Sequence, residues 1–203
     1  MPNWVKNIVT FYGDEKRIEE LREFTRNGDR EFDFNKLAPM PEELKLSEGS
    51  ESDRAIEIYM SEDQEAAKIF YMDKYKIDED EYLRLYNLGE KYVDNKMKYG
   101  HRSWYGWCCE HWGTKWNSAE PEWTDANRLE FLTAWSAPEP IFAKLAEKFP
   151  DITFMVAFAD EDIGQNCGEL HYHNGVLWGV NLDPDNSYEF AKNLWGYKDE
   201  DEE

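Results

Sequence analysis

Residues 3–12 set Val5, Val9 and Phe11 on one face and Ile8 and Tyr12 on the other. Apolar side chains recurring every second residue predict a strand. Asp14 then stands as a cap before Ile18 and Leu21, which share one face of a helix, and Asn27-Gly28 supplies its stop. "FDFNKLAPMPEELKL" is punctuated by proline and has no helical period, so an extended connection is expected there. Residues 47–54 are polar throughout and predict a flexible stretch.

The period then changes. Ser61 with Gln64 has the form of a capping box before Ala66, Ala67, Ile69 and Phe70. Asp78 with Glu81 repeats that form before Tyr82, Leu85, Tyr86, Gly89 and Val93, an i, i+3, i+4, i+7 stripe running towards Tyr99. Ser103 is placed to cap a short third helix through His111, with Gly113 as its end.

Strand character returns at Arg128 to Trp135, where Leu129, Phe131, Thr133 and Trp135 alternate onto one side. Ser136 with Glu139 suggests another capping box, before Phe142, Leu145 and Phe149, and Pro150 stops that helix. Residues 152–159, "ITFMVAFA", are apolar on both faces, as a central strand covered on both sides requires. The Trp-rich insertion is the expected cover for the second face. "ELHYHNGVLWGV" predicts a hairpin on an Asn174-Gly175 turn. Asp185 is expected to cap a last helix holding Phe190 and Leu194, and Lys198 to Glu203 to fray.

The order is β-α-(helical insertion)-β-β-α-β, followed by a hairpin and a helix. The expected class is α+β, a ferredoxin-like split β-α-β antiparallel sheet. The expected organisation is one domain over 1–203, with an acidic helical insertion at about 45–113.

Composition narrows the function classes. Aromatics make up 16% of the 203 residues, nine of them Trp, enough large apolar groups to build a core. No run is long and apolar enough to cross a bilayer, and "MPNWVKNIVTFYGDEKR" lacks the form of a signal peptide, so a soluble cytoplasmic protein is expected. The formal charge of −21 disfavours direct binding of nucleic acid, which rests on Lys and Arg at phosphates. Such a field is either a solvated surface or one that imitates nucleic acid and engages basic proteins.

Four strings carry a resemblance: "MPNW", "FDFNKLAPMPEEL", "YGW" followed by "HWGTKWN", and "TAWSAPEPIFAKLAEKFP". In that order and spacing they resemble the YubB-type ferredoxin-like family of phage and plasmid proteins, from Met1 to about Gly168. The resemblance implies a ferredoxin-like α+β fold and residence on a bacterial mobile element. It implies no established activity and so transfers no catalytic residue. The long acidic insertion and Cys108-Cys109 depart from the family pattern.

"WCCEHWGTKWN" is the densest candidate for chemistry. Trp104, Trp107, Cys108 and His111 fall on one face of a short helix, and a packed face is the default reading. A metal site would need Cys108, Cys109 or His111 to meet His171 and His173, which share a strand face. Nucleophilic chemistry would need Cys108, Cys109 or Cys167 beside a histidine. No phosphate-cradling glycine loop is present, and no cofactor is expected. Trp178 is expected to be buried between Leu177 and Val180, and Trp123, in the turn-like "SAEPEWTDAN", to stand exposed as a contact anchor. The favoured reading is a non-enzymatic interaction protein for a basic or nucleic-acid-binding protein partner. Its contacts would be Glu48, Glu51, Asp53, Glu57, Glu62, Asp63 and Trp123, with Asp78 to Glu81 beside them.

Overall fold

A computed structural model describes residues 2–182 and 186–197. In chain order the elements are β1 (Trp4–Tyr12), α1 (Glu15–Thr25), α2 (Ser50–Tyr59), α3 (Gln64–Tyr75), α4 (Glu79–Tyr99), α5 (Trp104–His111), β2 (Ala119–Asp125), β3 (Arg128–Ala134), α6 (Glu139–Lys148), β4 (Thr153–Asp160), β5 (Cys167–His173), β6 (Val176–Asn181) and α7 (Ser187–Trp195). The chain divides into two compact units, Met1–Pro39 with Cys108–Glu203, and Met40–Trp107.

The first unit holds an open antiparallel sheet of order β2-β3-β1-β4-β5-β6. Within it, β1-α1-β2-β3-α6-β4 has the ferredoxin-like arrangement, and the β5–β6 hairpin extends the sheet at the β4 edge. Alternation decides the faces. Val5, Val9 and Phe11 of β1, Leu129 and Phe131 of β3 and Phe154 and Val156 of β4 are all buried on one side. Phe154 stacks on Tyr172 at 4.7 Å and lies 5.7 Å from Phe11, and Phe142 of α6 lies 6.2 Å from Phe131. Asn174 and Gly175 take positive φ of 50° and 79°, the pair of left-handed residues that a tight hairpin needs.

Several details differ from the pattern-based expectation. The second face of β4 is covered by α7, whose Ala191 packs with Ala159 and Cys167; Trp195 donates from Nε1 to the carbonyls of Ala159 and Asp160. From the Trp-rich stretch, Trp112 packs on the other side, against Phe34, which in turn meets Phe131. "SAEPEWTDAN" contains the edge strand β2, because an edge tolerates the missing N–H of Pro121. Strand β3 ends at Ala134, so Trp135 is not an inward strand residue. No side chain caps α6; Ser136 instead donates to the carbonyl of Gly113. The described cap of α7 is Asn186, whose side chain accepts from the Glu189 N–H; Asp185 and Lys198 to Glu203 lie outside the described residues.

The second unit is helical. Its core is Ala55 and Ile58 of α2 with Tyr82, Leu85 and Tyr92 of α4. Gly89 permits this packing, because a Cβ there would lie 2.1 Å from the carbonyl oxygen of Ala55. Residues 50–54, expected to be flexible, are the first half of α2, where Ser52 donates to the Gly49 carbonyl at 2.6 Å. Helix α3 is capped by Asp63, which accepts from the Ala66 N–H, while Ser61 offers only its carbonyl to Gln64. Asp78 caps α4 as expected, accepting from the Glu81 N–H. Among the described residues, no helix is long and apolar enough to cross a membrane.

Candidate functional site

The strings with the clearest pattern meet in the sheet unit, around one buried carboxylate. Asp33 is 4% exposed and accepts from Asn27 Nδ2 at 2.6 Å, Asn117 Nδ2 at 2.6 Å, and the Asn35 backbone and side-chain amides at 2.9 and 3.0 Å. Burial works to raise its pKa, but the amides of Asn27, Asn117 and Asn35 outweigh it and hold the carboxyl below its ordinary 3.8. Asn117 also accepts from the Phe34 and Ser118 N–H groups through Oδ1. This hub ties "FDFN" to "WGTKWN" across 84 residues.

The hub and its neighbours explain "WGTKWN" residue by residue. Trp112 is buried and donates from Nε1 to the Ala38 carbonyl at 2.9 Å. Gly113 takes φ 76°, and a Cβ there would meet Pro140 at 2.5 Å. Thr114, 2% exposed, donates to the Ala134 carbonyl at the end of β3. Asn117 is held by Asp33, and Ser118 is fully buried. With Thr114 and Asn117 pinned inward, Lys115 and Trp116 between them are turned outward.

Two other tryptophans share that corner. Trp4 stands at the start of β1, paired in register with Ala134, and its ring lies 5.9 Å from that of Trp116. Trp135 follows β3 with φ 73°, a left-handed conformation that is costly for a bulky side chain. It is held there by its N–H donating to the Asn3 carbonyl at 3.0 Å and its carbonyl accepting from Asn166 Nδ2 at 2.9 Å. The ammonium of Lys115 sits over both Trp116, at 4.5 Å, and Trp135, at 4.8 Å. Trp116 is 37% and Trp135 43% exposed. The result is a surface cluster of indoles around one cation, set on a rigid frame. Trp4, Trp116 and Trp135 come one each from "MPNW", "HWGTKWN" and "TAWS".

The expected acidic contacts have a different character. Arg102 pairs with Glu48 at 2.8 Å and with Asp53 at 2.9 Å, and Ser103 also donates to Glu48. Arg84 pairs with Glu51. Glu57 takes Lys74 at 2.8 Å and the hydroxyls of Tyr75 and Tyr71; the Lys74 ammonium and Tyr75 hydroxyl hold its carboxyl below the ordinary range. Asp63 is the cap of α3, and Glu62 is exposed beside it. Four of the six acids are thus ion-paired within the helical unit, with Asp53, Glu51 and Glu57 still 65%, 49% and 44% exposed. Nor is that unit the seat of the charge. Residues 40–107 hold sixteen acids against ten Lys and Arg, leaving twenty-eight against thirteen for the rest.

Trp123 is half-buried rather than a free anchor. Its ring stacks on Phe11 at 5.4 Å, and the Arg22 guanidinium covers it at 5.4 Å. Trp178, expected to be buried, is 69% exposed because β6 is an edge strand.

The cysteines do not meet His171 and His173 as the metal reading required, whereas His111 offers a ligand atom within 4.8 Å of one from its neighbour Glu110. Cys108 is buried, and burial pushes its thiol up to about 12, so the thiolate that a nucleophile or metal ligand needs is suppressed. Cys167 is buried and Cys109 exposed. His171 and His173 share the side of β5 that lines a cleft of about 310 Å³ with Tyr12, Thr153, Met155 and Trp178. His173 Nδ1 is 2.7 Å from Thr153 Oγ1, and the His171 ring lies 6.2 Å from that of Trp178. Among the described residues, neither these histidines nor Cys108 or Cys109 joins a group of three ligand atoms within 4.8 Å of one another. Iodoacetamide is therefore expected to leave Cys108 unmodified in the native protein and to reach it only after unfolding, as peptide mass mapping would show. Equal modification in both states would contradict its burial.

Residues 111–202 match the family described as the ferredoxin-like domain in Api92-like protein. The match spans β2 to α7, the part of the chain that holds Lys115, Trp116 and Trp135. Among solved structures, the crystal structure of protein api92 from Yersinia pseudotuberculosis is similar over 92% of this chain and 99% of that one, at 10% identity and a TM-score of 0.49. None of the curated proteins matches.

Proposed function

We propose that the protein is a non-enzymatic interaction module that engages a positively charged protein partner through the corner of Trp4, Trp116, Trp135 and Lys115. The observation that carries this reading is Trp135. A large aromatic side chain in a left-handed backbone, half in solvent, costs on the order of 1–3 kcal/mol that the fold does not recover by burying it. Strain of that kind concentrates at recognition sites, and tryptophan is among the residues that dominate binding energies. The charge of −21 supplies a second component, since a negative field speeds encounter with a basic partner without itself fixing the contact.

Membership of the whole chain in the phage and plasmid family its strings resemble, and residence in a bacterial cytoplasm, belong to the same reading. A mobile element gains from a small protein that occupies a host complex. The warrant for that part is analogy.

The test is affinity capture from bacterial lysate with the unmodified protein and with a Trp116→Ala, Trp135→Ala double variant of unchanged circular dichroism. A basic protein retained by the first at low salt, weakened at high salt, and reduced at least ~10-fold by the double variant is the expected result. Equal capture by both proteins would remove the corner from the account.

A further inference from the structure

The face of the sheet that turns away from the aromatic core is only partly covered. Helix α7 packs on Ala159 and Cys167, at one end of β4 and β5. At the other end the same face carries Thr153 and Met155 of β4, His171 and His173 of β5, Tyr12 of β1 and Trp178 of β6, around the cleft of about 310 Å³. Met155 is paired in register with His171, while the intervening pair, Phe154 and Tyr172, is buried on the core side. Side chains directly opposed in an antiparallel pair start about 5 Å apart, and alternate residues of one strand about 6.5 Å apart. Two imidazoles and one thioether therefore rise from neighbouring positions of one face.

We propose that Met155, His171 and His173 bind a monovalent copper ion, Cu(I). Among the described residues, no His, Cys or carboxylate completes a set of three ligands with the two histidines, and the Met155 thioether takes that place. The ligand types select the metal. Imidazole suits zinc, copper, iron and nickel, whereas a thioether is a soft ligand that favours Cu(I). Zinc sites are built from thiolate, imidazole and carboxylate, usually four of them. No acid lines the cleft, so a divalent ion would bring charge that no local ligand balances. A monovalent ion among three neutral ligands leaves the least charge uncompensated. The field of a chain of −21 raises the cation concentration around it without supplying a ligand.

The neighbouring side chains fit that role. His173 Nδ1 lies 2.7 Å from Thr153 Oγ1. In the proposed site that hydroxyl accepts the Nδ1 proton and leaves the Nε2 lone pair for copper, the supporting contact that orients a metal-binding imidazole. Met155 is unbranched and flexible, so its sulfur can swing towards an ion held by the histidines. The Trp178 ring lies 6.2 Å from that of His171, which sets an ion on His171 beside an indole.

A competition titration on the full chain tests this. Cu(I), generated from copper sulfate by excess ascorbate under nitrogen, is offered to the protein against the chromogenic chelator bicinchoninate. Cys109→Ser is the background, because that exposed thiol would capture Cu(I) by itself. The expected result is one Cu(I) per chain, weakened at least ~100-fold by His171→Gln or His173→Gln and at least ~10-fold by Met155→Leu. Binding should quench tryptophan fluorescence, and Trp178→Phe should remove most of that quench while the stoichiometry stays at one. None of these four side chains is buried, so unchanged circular dichroism is expected. Zinc sulfate should bind more weakly and be indifferent to Met155→Leu. A chain that withdraws no Cu(I) from the chelator would overturn the proposal, as would Cu(I) binding that all three ligand substitutions leave intact. Zinc held as tightly as Cu(I), with Met155→Leu without effect on either, would overturn it too.

Discussion

Replacing Asp33 with alanine is expected to cost the sheet unit about 3–5 kcal/mol and to loosen the Trp4–Trp116–Trp135 corner along with it. The carboxylate receives hydrogen bonds from Asn27, Asn35 and Asn117 in a site that is 4% exposed, so its removal leaves buried amide donors without acceptors. Asp33→Asn tests the charge separately. It keeps the shape but turns one acceptor into a donor facing other donors, and a loss of about 2–3 kcal/mol is expected. The pH dependence follows from the depressed pKa. A carboxyl held below its ordinary 3.8 in the folded state contributes stability that is fully present above that value. The contribution is lost as pH falls below about 4 and through the lower folded value. Urea melts of the unmodified protein should therefore weaken in that window, and those of Asp33→Ala should weaken less. Identical acid sensitivity in the two proteins would contradict the assignment.

Gly89→Ala is expected to have the largest effect on the helical unit. The added methyl would stand 2.1 Å from the Ala55 carbonyl oxygen and 2.7 Å from the Tyr59 Cβ, so α2 must move off α4. Overpacking costs about 1–3 kcal/mol where a flexible side chain can give way, and more where the obstacle is backbone, as here. A methyl group at most helix positions would do the opposite, since alanine is about 1 kcal/mol the better helix former. Hydrogen exchange should report accelerated opening of Ser50–Tyr59 and Glu79–Tyr99. Protection equal to or above that of the unmodified protein would mean the two helices do not cross at Gly89.

Much of this fold was legible because its signals are local. Apolar alternation in β1 and β3, the stripe of α4 and the Asn174-Gly175 turn each lie within one element and depend on backbone geometry alone. Helix α2 was not legible. Its first half is Ser, Glu, Asp and Arg, and of its apolar residues only Ala55 and Ile58 are buried. Pairings were hidden for the same reason. Arg102 lies 54 residues from Glu48 and 49 from Asp53, so acids that look like a free negative surface are ion-paired within the unit while Asp53 stays largely exposed. Trp123 is hard to place from sequence because proline beside acidic residues signals a turn, and the edge strand β2 uses the same residues. Trp135 could not have been picked out, because a left-handed tryptophan leaves no mark on hydrophobic periodicity. What the strings around it do show is density. Trp4, Lys115, Trp116 and Trp135 fall in the chain's most recognisable stretches, and only the fold shows that they meet.

In the proposed function, partner contact lies at the indole corner and not on the acids of the helical unit. Site-specific photo-crosslinking tests it most directly, with a benzoylphenylalanine in place of Trp135 in one protein and of the exposed Glu62 in another. A crosslinked partner is expected from position 135 and none from position 62. A partner that crosslinks from 62 and not from 135 would contradict it, and would return the contact to the acidic surface of the helices.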